Sequence, residues 1–321
     1  MKILYLPNEY SQQRQREKRR WIYPVFLAME ATYMRNMGHE VIWDDPSQWK
    51  ECDCVVTDVE GHSFLSLPPP DRKLTKAFDS KYQNNGNFKY RPGTYIQAAN
   101  GCWHGKCSFC VEQKNKWEVR SVNDVIQEIE ECASLGFKEV FDDSGTFPTG
   151  AWLEEFCYKV RWTFMPFSCN MRMVDVDYNM LKHAGFRMLL FGLESANQKT
   201  LDRISKGTQV EDVRYIMEAA RAGLEPHVAV MFGFPWETDE DALMTLRMVW
   251  WLLRKGYAKT AQASFYTPLN GGHNKEQKKY VKQIYKVARY PEFWFNKIRD
   301  IHDKDDLKYL WRQIKEGIKN A

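Results

Sequence analysis

Residues 100–110 read NGCWHGKCSFC and place Cys102, Cys107 and Cys110, three of the chain's eight cysteines, within nine positions. Thiolates this close in sequence converge on one soft metal centre from a single loop. A tetrahedral zinc site asks for four ligands, and His104 is the candidate fourth, but two-residue gaps in zinc loops come in pairs and no second pair follows. A 4Fe-4S cluster fits three cysteines better, because one iron then keeps an open position for a substrate or cofactor. Three unligated core cysteines would need a buried face, whereas Gly101, His104, Gly105, Lys106 and Ser108 interleave these.

Outward from this loop, strand and helix signals alternate. Strands are expected at 94–99, 138–141, 164–169, 187–191, 228–232 and 261–266, with helices ending on Gly136, Gly185, Gly223 and Gly256. Ser121 with Asp124, Thr208 with Glu211 and Thr238 with Asp241 have capping-box spacing and mark helix starts. Six βα repeats predict the α/β class and a partial (β/α)6 TIM-like barrel, a fold that puts its chemistry at the carboxyl ends of its strands. The polar signatures fall there: the cysteine loop, then FDDSG at 141–145, CNMR at 169–172, FGLES at 191–195, MFGFPWET at 231–238 and TPLNGG at 267–272. Adjacent carboxylates at Asp142 and Asp143 also suit a helix cap or a magnesium ion, and Arg172 also suits an ordinary salt bridge.

The cysteine loop, with the aromatic Phe109 before its third cysteine, resembles that of the radical SAM enzymes. The usual loop has three residues between its first two cysteines and this one has four, Trp103 to Lys106. The run GLES and the following SANQKTLDRISKG continue the resemblance, as does GFPWET, with Trp236 in place of a glycine of the family's GFPGET turn. The resemblance covers about residues 95–272. It implies a 4Fe-4S cluster on Cys102, Cys107 and Cys110, with S-adenosylmethionine on the open iron. One electron passed to the sulfonium releases methionine and a 5′-deoxyadenosyl radical, which abstracts hydrogen from a substrate. The cofactor site would take Phe109, Asp143 as acceptor from the ammonium, Ser144 and Gly145 beside it, Arg172 for the carboxylate, Glu194 for the ribose hydroxyls, and Gly233 and Phe234 in the turn toward the adenine. An electron donor such as a flavodoxin or ferredoxin follows, with a small-molecule or peptide substrate.

Residues 1–66 read as a small Rossmann-like α/β domain, with strands at 2–6, 40–43 and 54–59 and a helix at 23–37 closed by Gly38. Its position resembles a shortened form of the cobalamin-binding domain that precedes many radical SAM barrels. No Asp-x-His-x-x-Gly motif supplies the lower cobalt ligand, which argues against cobalamin. Residues 67–93, with Pro68 to Pro70, are a turn-rich linker, 94–272 the barrel and 273–321 a basic helical extension. That extension carries thirteen Lys and Arg against seven Asp and Glu, or +6, while the remainder, 33 against 35, carries −2. A solvated helical face accounts for it, as does contact with nucleic acid. The run 14–20 holds five basic residues around Glu17 and reads as a loop or solvated helix start.

With 44% hydrophobic residues the chain can bury a sizeable core. No uncharged apolar run reaches the ~18 residues that span a bilayer. No signal peptide is evident, so a cytoplasmic location is expected, where cysteines serve as ligands or core residues. Cys132, Cys157 and Cys169 read as core, and Cys52 and Cys54 as non-ligands. Two rival readings are a radical SAM methyltransferase and a non-catalytic zinc or iron-sulfur protein that binds nucleic acid.

Overall fold

The computed structural model describes residues 1–7, 22–57, 59, 61–83, 87–266 and 275–320. The basic run 14–20 and the 267–272 loop lie outside these residues. Near the amino terminus, β1 (Lys2–Tyr5) lies between β2 (Glu40–Trp43) and β3 (Cys54–Val56), parallel to both, with α1 (Val25–Asn36) connecting β1 to β2. Gly38 takes φ +87° just past α1, as a helix end requires.

The larger sheet has six strands in chain order, β4 (Gly93–Ile96), β5 (Glu139–Asp142), β6 (Phe167–Met171), β7 (Phe186–Glu194), β8 (Glu225–Phe232) and β9 (Thr260–Phe265), every pairing parallel. The connecting helices are α2 (Val122–Ser134), α3 (Ala151–Val160), α4 (Tyr178–His183), α5 (Gln198–Arg203), α6 (Val213–Arg221) and α7 (Asp239–Lys255). Parallel strands joined in sequence by helices form the partial (β/α)6 barrel, open between β4 and β9. Along β8 burial alternates residue by residue, the period of a strand with one face on the core.

Two helix starts follow the expected caps. Thr238 and Asp241 exchange both bonds of a capping box at α7, and Ser121 accepts from the Asp124 amide at α2. The third box is displaced by one residue: Gln209 and Asp212 form it, and the Thr208 hydroxyl is buried without a hydrogen-bond partner among the described residues. Strand bounds also differ from expectation: β7 runs to Glu194 rather than 191, β8 begins at Glu225 rather than 228, and the first and third strands are shorter at one end for visible reasons. The first stops at Ile96 because side chains from the end of β5 capture the next amides: Asp142 accepts from Ala98 N at 2.6 Å and Ser144 Oγ from Ala99 N at 2.9 Å. Ala99–Asn100 then pairs antiparallel with Glu118–Val119. The third strand begins at Phe167 rather than 164, since Pro166 cannot donate to the ladder and Phe164 sits at φ +54°, 86% exposed.

At the amino ends of the strands lies a buried ion network. Arg187 of β7 donates to Glu139 of β5 from Nε at 2.8 Å and to Glu225 of β8 from Nη1 at 2.7 Å, while Lys89 bonds Glu225 at 3.3 Å and also pairs with Asp306. Asp306 belongs to α10 (Lys304–Asn320), which follows α8 (Lys278–Gln283) and α9 (Pro291–Arg299). Arg312 of α10 donates to the carbonyls of Phe88 and Lys89. One face of the basic extension is thus docked on the barrel, while Leu307 and Trp311 stay exposed.

A second buried cluster fastens residues 67–93 to the barrel. Arg72, fully buried, donates to Tyr95 O at 3.0 Å and to Glu128 of α2 at 2.5 Å, and Arg120 pairs with the other Glu128 oxygen. Residues of both sheets belong to one contiguous apolar core, which takes in Cys132, Cys157 and Cys169 as expected. Removing Glu128 leaves two guanidinium groups without their counter-ion. Glu128→Ala is expected to cost about 3–5 kcal/mol, read as a lowered urea midpoint of unfolding.

Candidate active site

The carboxyl ends of β4 to β8 bring the sequence motifs to one rim. The cysteine loop follows β4, Asp143 to Gly145 follow β5, Arg172 follows β6, Glu194 ends β7, and Gly233 follows β8.

Cys107 is buried, and Cys102 and Cys110 are half-buried. A turn from Cys110 N to Cys107 O at 3.0 Å folds the loop, and Gly101 and Gly105 supply its left-handed residues. Burial pushes the Cys107 thiol up; Lys206 and Arg172 oppose it, Arg172 also by a hydrogen bond. Burial likewise raises Cys110, and the charges of Glu112, Cys107 and Cys102 add to that, so both other thiols lie within electrostatic reach of Cys110. Among the described residues no three His, Cys, Asp or Glu side chains are arranged to hold a single metal ion. His104 is not a ligand in waiting. Its Nε2 donates to the Ser205 carbonyl at 2.8 Å, and burial holds its pKa below the usual histidine value.

Asp143 is half-buried, with Asn170 Nδ2 at 3.5 Å. Ser144 is fully buried and committed to the Ala99 amide. Gly145 is exposed, yet a methyl group added there would fall 2.6 Å from Gly101 O and 2.9 Å from Glu112 Cγ. Its missing side chain therefore admits the cysteine loop. Arg172 is buried, donates from Nη2 to the Lys206 carbonyl, and lies 5.2 Å from the Trp103 ring centre. Its Nε is buried with no hydrogen-bond partner among the described residues, a cationic donor that an anionic group would satisfy.

Glu194 is a buried carboxylate at φ +61°, a conformation sparsely used by residues other than glycine. Its Oε1 accepts from Lys206 Nζ at 2.8 Å. Gly233, at φ +94°, donates its amide to Glu237 at 2.6 Å, and an added methyl would strike the Phe265 ring. Phe234 is fully buried, packed with Tyr266 at 4.8 Å and stacked on Trp236 at 5.7 Å, in a small apolar cluster with Leu201 and Ile204 against which Phe109 rests. The Phe234 side chain thus packs under the turn, and the Phe234 carbonyl accepts from Glu237 N at 3.0 Å.

Lys206 and Gly192 were not singled out in the sequence. The SKG run carried the signal, as did the glycine of GLES, but neither shows from the sequence that they meet.

Residues 96–249 match the model of the radical SAM superfamily. The tRNA-2-methylthio-N(6)-dimethylallyladenosine synthase of Bordetella petrii is 27% identical over 224 residues, covering 62% of this chain and 42% of that enzyme. An uncharacterised methyltransferase of Pyrococcus horikoshii is 23% identical over 281 residues, covering 73% of this chain and 60% of that one. This chain thus spans less than two thirds of either relative's length. The radical S-adenosylmethionine methyltransferase TsrM of Kitasatospora setae superposes with a TM-score of 0.49 and 21% identity, over 55% of this chain and 37% of that structure.

Asp142, fully buried beneath this rim, has a pKa raised by burial from 3.8 to about 6, although bonds from Ser144 and the Ala98 amide oppose the rise. The folded state therefore keeps a proton that the unfolded chain releases between about pH 4 and about pH 6, so the contribution of Asp142 to stability falls as pH rises through that window and is level above it. The urea midpoint of the wild type relative to that of Asp142→Asn is expected to fall across this range.

Proposed function

We propose that the chain is a radical SAM enzyme, as the match of residues 96–249 to the superfamily model supports, holding its 4Fe-4S cluster on Cys102, Cys107 and Cys110 and its S-adenosylmethionine along the rim of β5 to β8. When bound, these groups supply reductive cleavage to a 5′-deoxyadenosyl radical that abstracts hydrogen from a substrate. The observation that carries the assignment is the convergence of the cysteine loop, a buried arginine with an unpartnered Nε and a buried Glu194 on one end of one sheet. Three cysteines on one short loop, with no second pair of thiols following, support a cluster over zinc.

In this reading Arg172 receives the cofactor carboxylate, since a buried guanidinium gains most from an ionised partner. Asp143 accepts from the ammonium, with Ser144 fixing the turn that carries it. Glu194 accepts from the ribose hydroxyls. Gly233 and Phe234 offer backbone to the adenine, and Phe109 closes the apolar wall behind the third cysteine. Trp103, stacked over Arg172, keeps water from the guanidinium and strengthens its hold on an anion.

The electron comes from a small reduced protein of the flavodoxin or ferredoxin kind, and the substrate is a small molecule or peptide. Among the described residues no helix is long and apolar enough to cross a membrane. We place the enzyme in the cytoplasm, where such reductants and reduced thiols are found. Methyl transfer is the second reading, favoured by the names of the curated relatives. It predicts S-adenosylhomocysteine as product and a cobalamin requirement.

Chain reconstituted without oxygen is expected to hold the iron and sulfide of one 4Fe-4S cluster, and Cys107→Ala to lose it. On reduction with S-adenosylmethionine, chromatography is expected to show 5′-deoxyadenosine. An intact cluster with no 5′-deoxyadenosine would overturn the reading.

A further inference from the structure

Four consecutive residues after α5, Ile204 to Gly207, lie across the cysteine loop. Ile204 O accepts from Ser108 N at 3.0 Å, Ser205 O from His104 Nε2 at 2.8 Å, and Lys206 O from Arg172. Gly207, at φ +65°, lies so close beneath the His104 ring that an added methyl would stand 2.6 Å from Cε1. Every carbonyl from 204 to 206 is therefore spent on the loop or on Arg172, and the position of the strap is tied to both.

From this strap the Lys206 side chain turns toward β7. Its ammonium meets Glu194 Oε1 at 2.8 Å, with the two side chains 9% and 10% exposed. The space they occupy is left by Gly192: a methyl there would fall 2.3 Å from Glu194 Oε1 and 2.8 Å from Lys206 Nζ. A glycine in the middle of a strand weakens it, and here its bare backbone admits the ion pair. Glu194 also holds a strained backbone angle, which persists only where its surroundings over-determine it. Lys206 is the one hydrogen-bond partner of the Glu194 carboxylate among the described residues, which leaves Oε2 open to a ligand.

Resting on the cofactor assignment above, we propose that Lys206 is the positioning residue that orients Glu194 for the ribose, and that the 204–207 strap makes this orientation depend on the ordered cysteine loop. One carboxylate oxygen is held by a buried cation, so the other faces the vicinal hydroxyls without a rotamer search on binding. Lys206 itself touches no cofactor atom in this scheme.

The test separates the two halves of the cofactor. Full-length chain with its reconstituted cluster is titrated anaerobically with S-adenosylmethionine, with methionine, which lacks the ribose, and with 5′-deoxyadenosine, which lacks the amino-acid part. Lys206→Met is expected to keep its iron content and its methionine affinity within about twofold. It should bind 5′-deoxyadenosine and S-adenosylmethionine about tenfold more weakly. Lys206→Arg should recover part of the loss. Gly192→Ala, which changes no charge, should reproduce it by displacing the pair. Unchanged nucleoside affinity in soluble, cluster-loaded Lys206→Met overturns the proposal, and so does an equal loss for methionine or a loss of the cluster in both Lys206 variants. A wild-type protein that binds none of the three ligands would instead refute the parent assignment.

Discussion

Arg187 lies between Glu139 and Glu225 at the amino ends of three strands, and the rest of the barrel is built on that contact. A guanidinium buried among strands is tolerable only when its donors are met, and here one side chain reaches two carboxylates and the Asn87 carbonyl. The contact fixes β5, β7 and β8 relative to one another at the end away from the cysteine loop. At the opposite end, where such a fold places its chemistry, Arg172 Nε has no hydrogen-bond partner among the described residues, and Lys206 holds one oxygen of Glu194.

Much of this was legible in the sequence because the signals are local. Helix ends were marked by glycines, and Gly136, Gly185, Gly223 and Gly256 all take left-handed backbone angles. The six strands fell within a few residues of expectation because alternation of apolar residues reflects burial directly. What local pattern could not reach was decided by side chains from elsewhere in the chain. Nothing near Ala98 announces that Asp142, forty-four residues on, captures its amide and ends the strand. The cap at Gln209 rather than Thr208 has the same origin, since both pairs have equal spacing and burial of the Thr208 hydroxyl breaks the tie.

At the site the residue types were readable and their partnerships were not. Cysteine spacing and GLES pointed to candidate ligands and a candidate carboxylate, yet the cation that meets Glu194 lies twelve residues later on the far side of a helix. At Gly145 the bare backbone admits Gly101 O of the cysteine loop, a contact no local pattern announces. A glycine in sequence reports that something comes close, and only the folded chain says what. His104 teaches the same lesson: a histidine between cysteines suggests a ligand, and its ring serves as a strut against Ser205 and Gly207.

The strands of the large sheet lie in the order in which the ribosome makes them. Each can therefore add to an edge already formed, with short loop closures and low entropic cost, and the cysteine loop is flanked by β4 and β5 early in synthesis. Asp306 and Arg312 arrive last. Until they dock, Lys89 lacks one of its counter-charges, so the base of the barrel closes only when the helices of the extension reach it.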